Sequence, residues 1–139
     1  MSQSHACRLT PKDQHLLHAL LAQGGKDDSF TLQLREKLAA ATIVPEHAMP
    51  PDVVTLYSRV RYRIGDQPPA TRILIHDPAH AIVGATLPVS NPCGLALLGV
   101  AAGATTTLAG PDGAVESISV EEILYQPEAA SAAPHWALR

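Results

Sequence analysis

The residue types that could do chemistry are few, and they fall in turns rather than in a pocket-forming pattern. Gly24-Gly25-Lys26 hints at a phosphate loop, but the spacing of a Walker sequence is absent and no strand precedes it, so it reads as a polar turn. Asp27 and Asp28 beside it are good caps for a helix that follows. His76-Asp77-Pro78-Ala79-His80 offers metal-ligand side chains, yet Pro78 prevents the helix that would align both histidines. No third or fourth ligand lies nearby, and a solvated loop is the expectation. Cys93 stands on an apolar run without an obvious base, where a cysteine acts as a small hydrophobe. Arg59, Arg61 and Arg63 alternate along one face of a strand pattern, which suits solvation and edge protection. No catalytic residue, metal ligand or cofactor site is therefore expected.

The totals point the same way. The chain has 139 residues, enough for one domain with a small appendage, and 46% of them are hydrophobic. A formal net charge of −3 argues against an independent grip on nucleic acid, which needs a basic face. No stretch approaches the length of a membrane span, and residues 1–8 lack the apolar region of a signal peptide. The two cysteines, Cys7 and Cys93, make no framework and are expected as free thiols in a reducing cytoplasm. There are no internal repeats.

The elements that would position these residues are marked by caps and periods. Residues 1–9 are expected as a loose tail. Thr10 caps a helix with Pro11 at its first position and Asp13 at the positive end of its dipole. Leu16, Leu17, Leu20 and Leu21 recur on one helical face. A second helix begins near Asp28 or Ser29, with Phe30, Leu34, Leu38 and Ala41 as its stripe, and the two make an antiparallel helical hairpin over residues 10–48. Each arm has about 13 residues and so a length of roughly 20 Å. Pro45 and Pro50-Pro51 close this unit. The alternation from Val53 to Ile64 predicts a half-buried strand, and Thr71 to His76 a second strand antiparallel to it. Gly110-Pro111-Asp112-Gly113 predicts a hairpin turn between Thr105–Leu108 and Val115–Tyr125. Residues 127–139, rich in Ala, Pro and Ser, are expected as a second tail despite Trp136.

Between the strands lies a short apolar stretch, Ser90-Asn91-Pro92-Cys93-Gly94-Leu95-Ala96-Leu97-Leu98-Gly99. Asn91 is a good N-cap, Pro92 fits the first helical position, and Gly99 fits the left-handed exit. A helix this short cannot stand alone in water, so the flanking strands must wrap it. The sum is an α+β fold: a short N-terminal hairpin, then a bent antiparallel sheet packed on one short helix.

Pro92-x-Gly94-x-Ala96-Leu97-Leu98-Gly99 followed by Gly103 resembles the central signature of the Gre-factor C-terminal domain. Met49-Pro50-Pro51-Asp52-Val53-Val54-Thr55-Leu56-Tyr57-Ser58-Arg59-Val60 and Leu124-Tyr125-Gln126-Pro127-Glu128-Ala129-Ala130 narrow the likeness to the "regulator of nucleoside diphosphate kinase" branch. These are the short-armed relatives of the transcript cleavage factors. The resemblance spans roughly residues 10 to 130, with three motifs in the expected order.

That resemblance implies an FKBP-like domain over residues 49–126 and a coiled-coil-like hairpin. It implies RNA polymerase as partner, bound at the secondary channel, with any contact to DNA made through the polymerase. Lys26, Asp27 and Asp28 would form the hairpin tip, where cleavage factors carry acids that hold a catalytic metal. Ser90, Asn91 and Pro92 would form the loop that docks on the channel rim. Ser90 stands where the family has an acidic residue, and Ala104 where it commonly has Asp. Arms of roughly 20 Å are too short to bring carboxylates to the polymerase metal, so occupancy without cleavage is expected. A monomer is expected. Two other functions compete: an interaction protein that controls nucleoside diphosphate kinase levels without touching polymerase, and an FKBP-like prolyl isomerase. The latter needs an aromatic-lined pocket, and the chain has one Phe, one Trp and three Tyr, with Phe30 and Trp136 placed elsewhere.

Overall fold

The computed structural model describes residues 7–23, 29–109 and 115–132. The expected hairpin tip Lys26-Asp27-Asp28, the expected turn Gly110–Gly113, and Trp136 lie outside the described residues.

Helix α1 (Pro11–Gln23) starts where Thr10 Oγ1 accepts from the Asp13 backbone N–H at 3.0 Å. It packs on α2 (Ser29–Ala40). Leu17 and Leu34 are fully buried, and Leu16, Leu20, Leu21, Phe30 and Leu38 pack partly against the same hydrophobic cluster as the sheet residues. The hairpin therefore shares its core with the sheet.

At both ends, described residues that were expected in tails take up regular structure. Strand β1 (Arg8–Leu9) pairs in parallel with β2 (Thr42–Ile43), and Cys7 and Leu9 are buried. A two-residue strand leaves no periodic signal; burial of Leu9 and the bonds from Arg8 N to Gly99 O and Thr42 N to Cys7 O fix it. At the other end α4 (Pro127–Ala132) continues from the sheet, with Pro127 at its first turn and Gln126 as its cap.

Strands β3 (Arg59–Ile64), β4 (Ala70–Ile75), β5 (Thr86–Pro88), β6 (Thr105–Ala109) and β7 (Val115–Tyr125) form one sheet in the order β5-β4-β3-β7-β6. The expected antiparallel sheet is in fact mixed, because β5 runs parallel to β4 after the crossover through the Pro78–His80 turn. The strand expected from Val53 begins only at Arg59. Val53, Val54, Thr55 and Leu56 are all buried, so alternation fails there. Ser58 N–H bonds back to Thr55 O at 3.0 Å, and Tyr57 turns the chain with φ +68 while donating its N–H to Leu74 O at 2.7 Å.

Strand β7 carries two register shifts against β3. Each inserts an extra residue, so that Glu121 and Glu122, and again Leu124 and Tyr125, are exposed in succession. The inner face, with Val60, Tyr62, Leu74, Ile118 and Val120, wraps α3 (Pro92–Leu97). All of α3 beyond Pro92 is buried, and Leu95, Leu97 and Leu98 have no exposure.

Candidate partner-binding site

The predicted rim loop is an exposed loop on a buried mount. Ser90, Asn91 and Pro92 are all exposed, and the residues from Cys93 to Val100 behind them are all buried. Asn91 is extended (φ −85, ψ 138) and its Oδ1 accepts from the Cys93 N–H at 2.8 Å. The loop enters from β5, with Val89 N bonded to Ile75 O at 2.9 Å. Gly94 lets the helix approach that strand: a Cβ there would lie 2.3 Å from Pro88 O. Gly99 leaves the helix at φ +87, as its position demands.

The residues that tie this loop to the hairpin belong to none of the sequence motifs. Gln33 Nε2 donates to Pro92 O at 3.2 Å, and Lys37 Nζ donates to Leu98 O and, at 3.5 Å, to Ala96 O. A cation at the carboxyl end of α3 offsets the helix dipole and satisfies carbonyls that no backbone N–H reaches. Burial lowers the Lys37 pKa, and the neighbouring Cys7 opposes that shift. One signal was available: Gln33 and Lys37 are four apart and so share a face of α2.

A second set of buried polar groups joins the other two sequence motifs. Thr55 Oγ1 donates to Glu128 Oε1 at 2.6 Å and lies 2.9 Å from Ser58 Oγ. Gln126 Nε2 donates to Pro50 O and Val53 O, each at 2.7 Å. Asp13, almost fully buried, accepts from the Leu56 N–H through Oδ2 at 3.1 Å. Asp13 is thus a structural acceptor that couples α1 to the 53–58 segment, beyond the dipole role read from sequence.

Burial pushes the Asp13 carboxyl above its ordinary value of 3.8, partly opposed by the Leu56 N–H. A carboxyl raised in the folded state adds stability that is complete below the unfolded pKa and is lost as pH rises through the folded one. Asp13→Asn keeps an acceptor for Leu56 and removes the buried charge. Its urea midpoint at neutral pH should equal or exceed that of the parent, with the advantage vanishing toward pH 4. A lower midpoint at every pH would show that the ionised form is needed.

The remaining candidates organise no reactive site. Among the described residues no group of His, Cys, Asp and Glu could hold a metal ion. Asp77 caps its own turn by accepting from Ala79 N at 2.9 Å, and His80 Nδ1 lies 4.0 Å from Asp77 Oδ2. Burial raises the Cys93 thiol and pushes the neighbouring Tyr62 phenol up to about 12. Both cysteines are free thiols. On the outer sheet face Arg61 meets Glu121 at 3.2 Å and Glu122 at 2.8 Å, and Arg63 meets Glu121 at 3.0 Å. The bulged glutamates thereby offset the arginine row. No helix among the described residues is long and apolar enough to cross a membrane.

The class is set by the fold. The structure is similar to the prokaryotic transcription elongation factor GreA/GreB from Nitrosomonas europaea, with a TM-score of 0.66 and 27% identity, over 86% of this chain and 98% of that one. This is the α+β architecture of the Gre-type factors. In sequence the chain is 36% identical over 98 residues to the "Regulator of nucleoside diphosphate kinase" of Escherichia coli K12, covering 70% of this chain and 72% of that protein. The protein of the same name from Shigella flexneri matches equally. The chain belongs to the regulator of nucleoside diphosphate kinase family, the branch within the Gre factors that its three motifs indicated. No protein-family model matches it. These relatives are named as a regulator and as a transcription factor, not as enzymes.

Proposed function

We propose that this protein is a non-enzymatic regulator of transcription elongation that binds RNA polymerase, enters its secondary channel and competes with transcript cleavage factors. The observation that carries this reading is the likeness in fold, over 86% of the chain, to a protein named as a GreA/GreB elongation factor. The site agrees with it: an exposed loop, Ser90-Asn91-Pro92, stands on a helix that is buried beyond Pro92, and Gln33 and Lys37 tie that helix to the hairpin. Loops on rigid mounts are where partner contacts sit.

In this reading residues 49–126 act as an FKBP-like docking domain and residues 10–48 as a coiled-coil-like plug. Helices of 13 and 12 residues span roughly 20 Å. Lys26, Asp27 and Asp28 at the tip then fall short of the polymerase metal, and a displacement far below that already abolishes metal-assisted chemistry. The protein works as a cytoplasmic monomer. A second reading, control of nucleoside diphosphate kinase levels without polymerase contact, rests on the relatives' name alone.

A backtracked elongation complex supplied with a cleavage factor tests the proposal. Cleavage should fall as this protein is added. Asp27→Asn with Asp28→Asn should leave that competition unchanged, since Asn also caps a helix. Failure to bind core polymerase at micromolar concentration, read by native mass measurement, overturns the proposal. Stimulated cleavage by the protein alone, lost in the double variant, overturns the plug.

A further inference from the structure

We propose that Cys7 and Lys37 are an oxidation-sensitive pair that closes into a sulfur–nitrogen cross-link between strand β1 and helix α2. Lys37 Nζ lies 3.8 Å from Cys7 Sγ, and both groups converge on one acceptor, Leu98 O, which is 3.9 Å from the sulfur. The sulfur is held in place from behind: a Cβ added at Gly99 would stand only 2.6 Å from it. It therefore stays against the amine, a few tenths of an ångström outside the range from which bonds form readily.

Two features make the amine a competent nucleophile. Burial lowers its pKa, so it yields its lone pair more readily than a solvated lysine. Its stem is flexible, so the nitrogen can close on the sulfur without moving the backbone. Cys93 has no such neighbour; its contact is the Tyr62 phenol.

The oxidant is hydrogen peroxide. It converts the Cys7 thiol to a sulfenic acid, breaking its own O–O bond and leaving as water. The Lys37 nitrogen then attacks the sulfur, the S–O bond breaks, and the departing hydroxide takes an amine proton to leave as a second water. One thiol, one amine and one peroxide thus give one S–N bond and two waters. The sulfur is oxidised by two electrons and the peroxide is reduced. A lysine that starts as the ammonium first releases one proton to solvent, so the product carries no charge at the end of α3, and it staples the strand before α1 to the second arm.

The full-length reduced protein, treated with hydrogen peroxide and digested with trypsin without reductant, tests this. The expected product joins the peptide 1–8 to the peptide 36–59, uncleaved at Lys37, and is two hydrogens lighter than the two together. It should vanish on treatment with a thiol reductant, persist in Cys93→Ser, and be absent in Cys7→Ser and Lys37→Arg. The proposal is overturned if the parent protein shows Cys7 as an unlinked sulfinic or sulfonic acid, or if Cys93 is oxidised while both peptides remain separate and unmodified.

Discussion

Gly94→Ala is expected to lower stability by about 3 kcal/mol or more, the upper end of the range for overpacked cores. The added methyl would meet Pro88 O at 2.3 Å, Pro88 C at 3.0 Å and Val89 Cα at 3.2 Å. All three are backbone atoms where β5 runs into the Ser90–Pro92 loop, and none can swing aside as a side chain could. Relief requires α3 to move away from β5, and that opens the space filled by Leu95, Leu97 and Leu98. Gly103→Ala is the control. Its φ of +88 carries a conformational cost of about 1 kcal/mol, but nothing lies within 4 Å of the new methyl. Urea midpoints of the two variants separate crowding from backbone strain. Equal midpoints would mean that the approach of α3 to β5 is not tight, and the loop would then lack the rigid mount on which the proposed docking depends.

The legibility of this chain follows how local each signal is. Asn91, Pro92 and Gly99 mark α3 by chemistry that acts within one turn, and the helix is found between those marks. The register of β3 against β4 is likewise local, a hairpin closed by Gly65 to Pro69. Where the sequence misleads, a distant partner decides. Val53 to Leu56 look like an alternating strand, but Val54 N bonds to Val100 O at 2.9 Å and Gly99 N to Val54 O at 2.8 Å. The segment lies against the exit of α3, so both of its faces are buried. Cys7, Arg8 and Leu9 look like a tail for the same reason, since their respective backbone partners Thr42, Gly99 and Val44 lie more than thirty residues away. The site divides along that line too. Ser90 to Pro92 are legible as a capped loop, whereas Gln33 and Lys37 acquire meaning only when α2 is laid across α3. The glutamates that offset Arg61 and Arg63 needed a bulge that no period announces.

Gln126→Glu should destabilise the protein by about 3 kcal/mol at neutral pH, although the two side chains have the same shape. Gln126 is buried and its Nε2 donates both hydrogens, to Pro50 O and to Val53 O at 2.7 Å each, while Oε1 accepts from Ala129 N at 3.1 Å. The substitution places an ionised oxygen against two carbonyl oxygens. Two acceptors then lose their donor at a cost of roughly 1–3 kcal/mol each, and a buried charge is added. Gln126→Ala removes the same donor without the charge and should cost about 2 kcal/mol at any pH. The comparison fixes the mechanism because the carboxyl introduced by Gln126→Glu must titrate high in the folded state, raised by burial and by the carbonyl lone pairs. Its protonated form regains one donor, so stability is recovered below the unfolded value of about 4.3 and lost as pH rises through the folded one. The gap between Gln126→Glu and the parent should therefore narrow steadily on acidification, while that for Gln126→Ala stays constant. A neutral-pH loss below about 1 kcal/mol, or a gap that does not change with pH, would show that the amide is not what joins the Leu124–Ala130 motif to the Met49–Val60 motif.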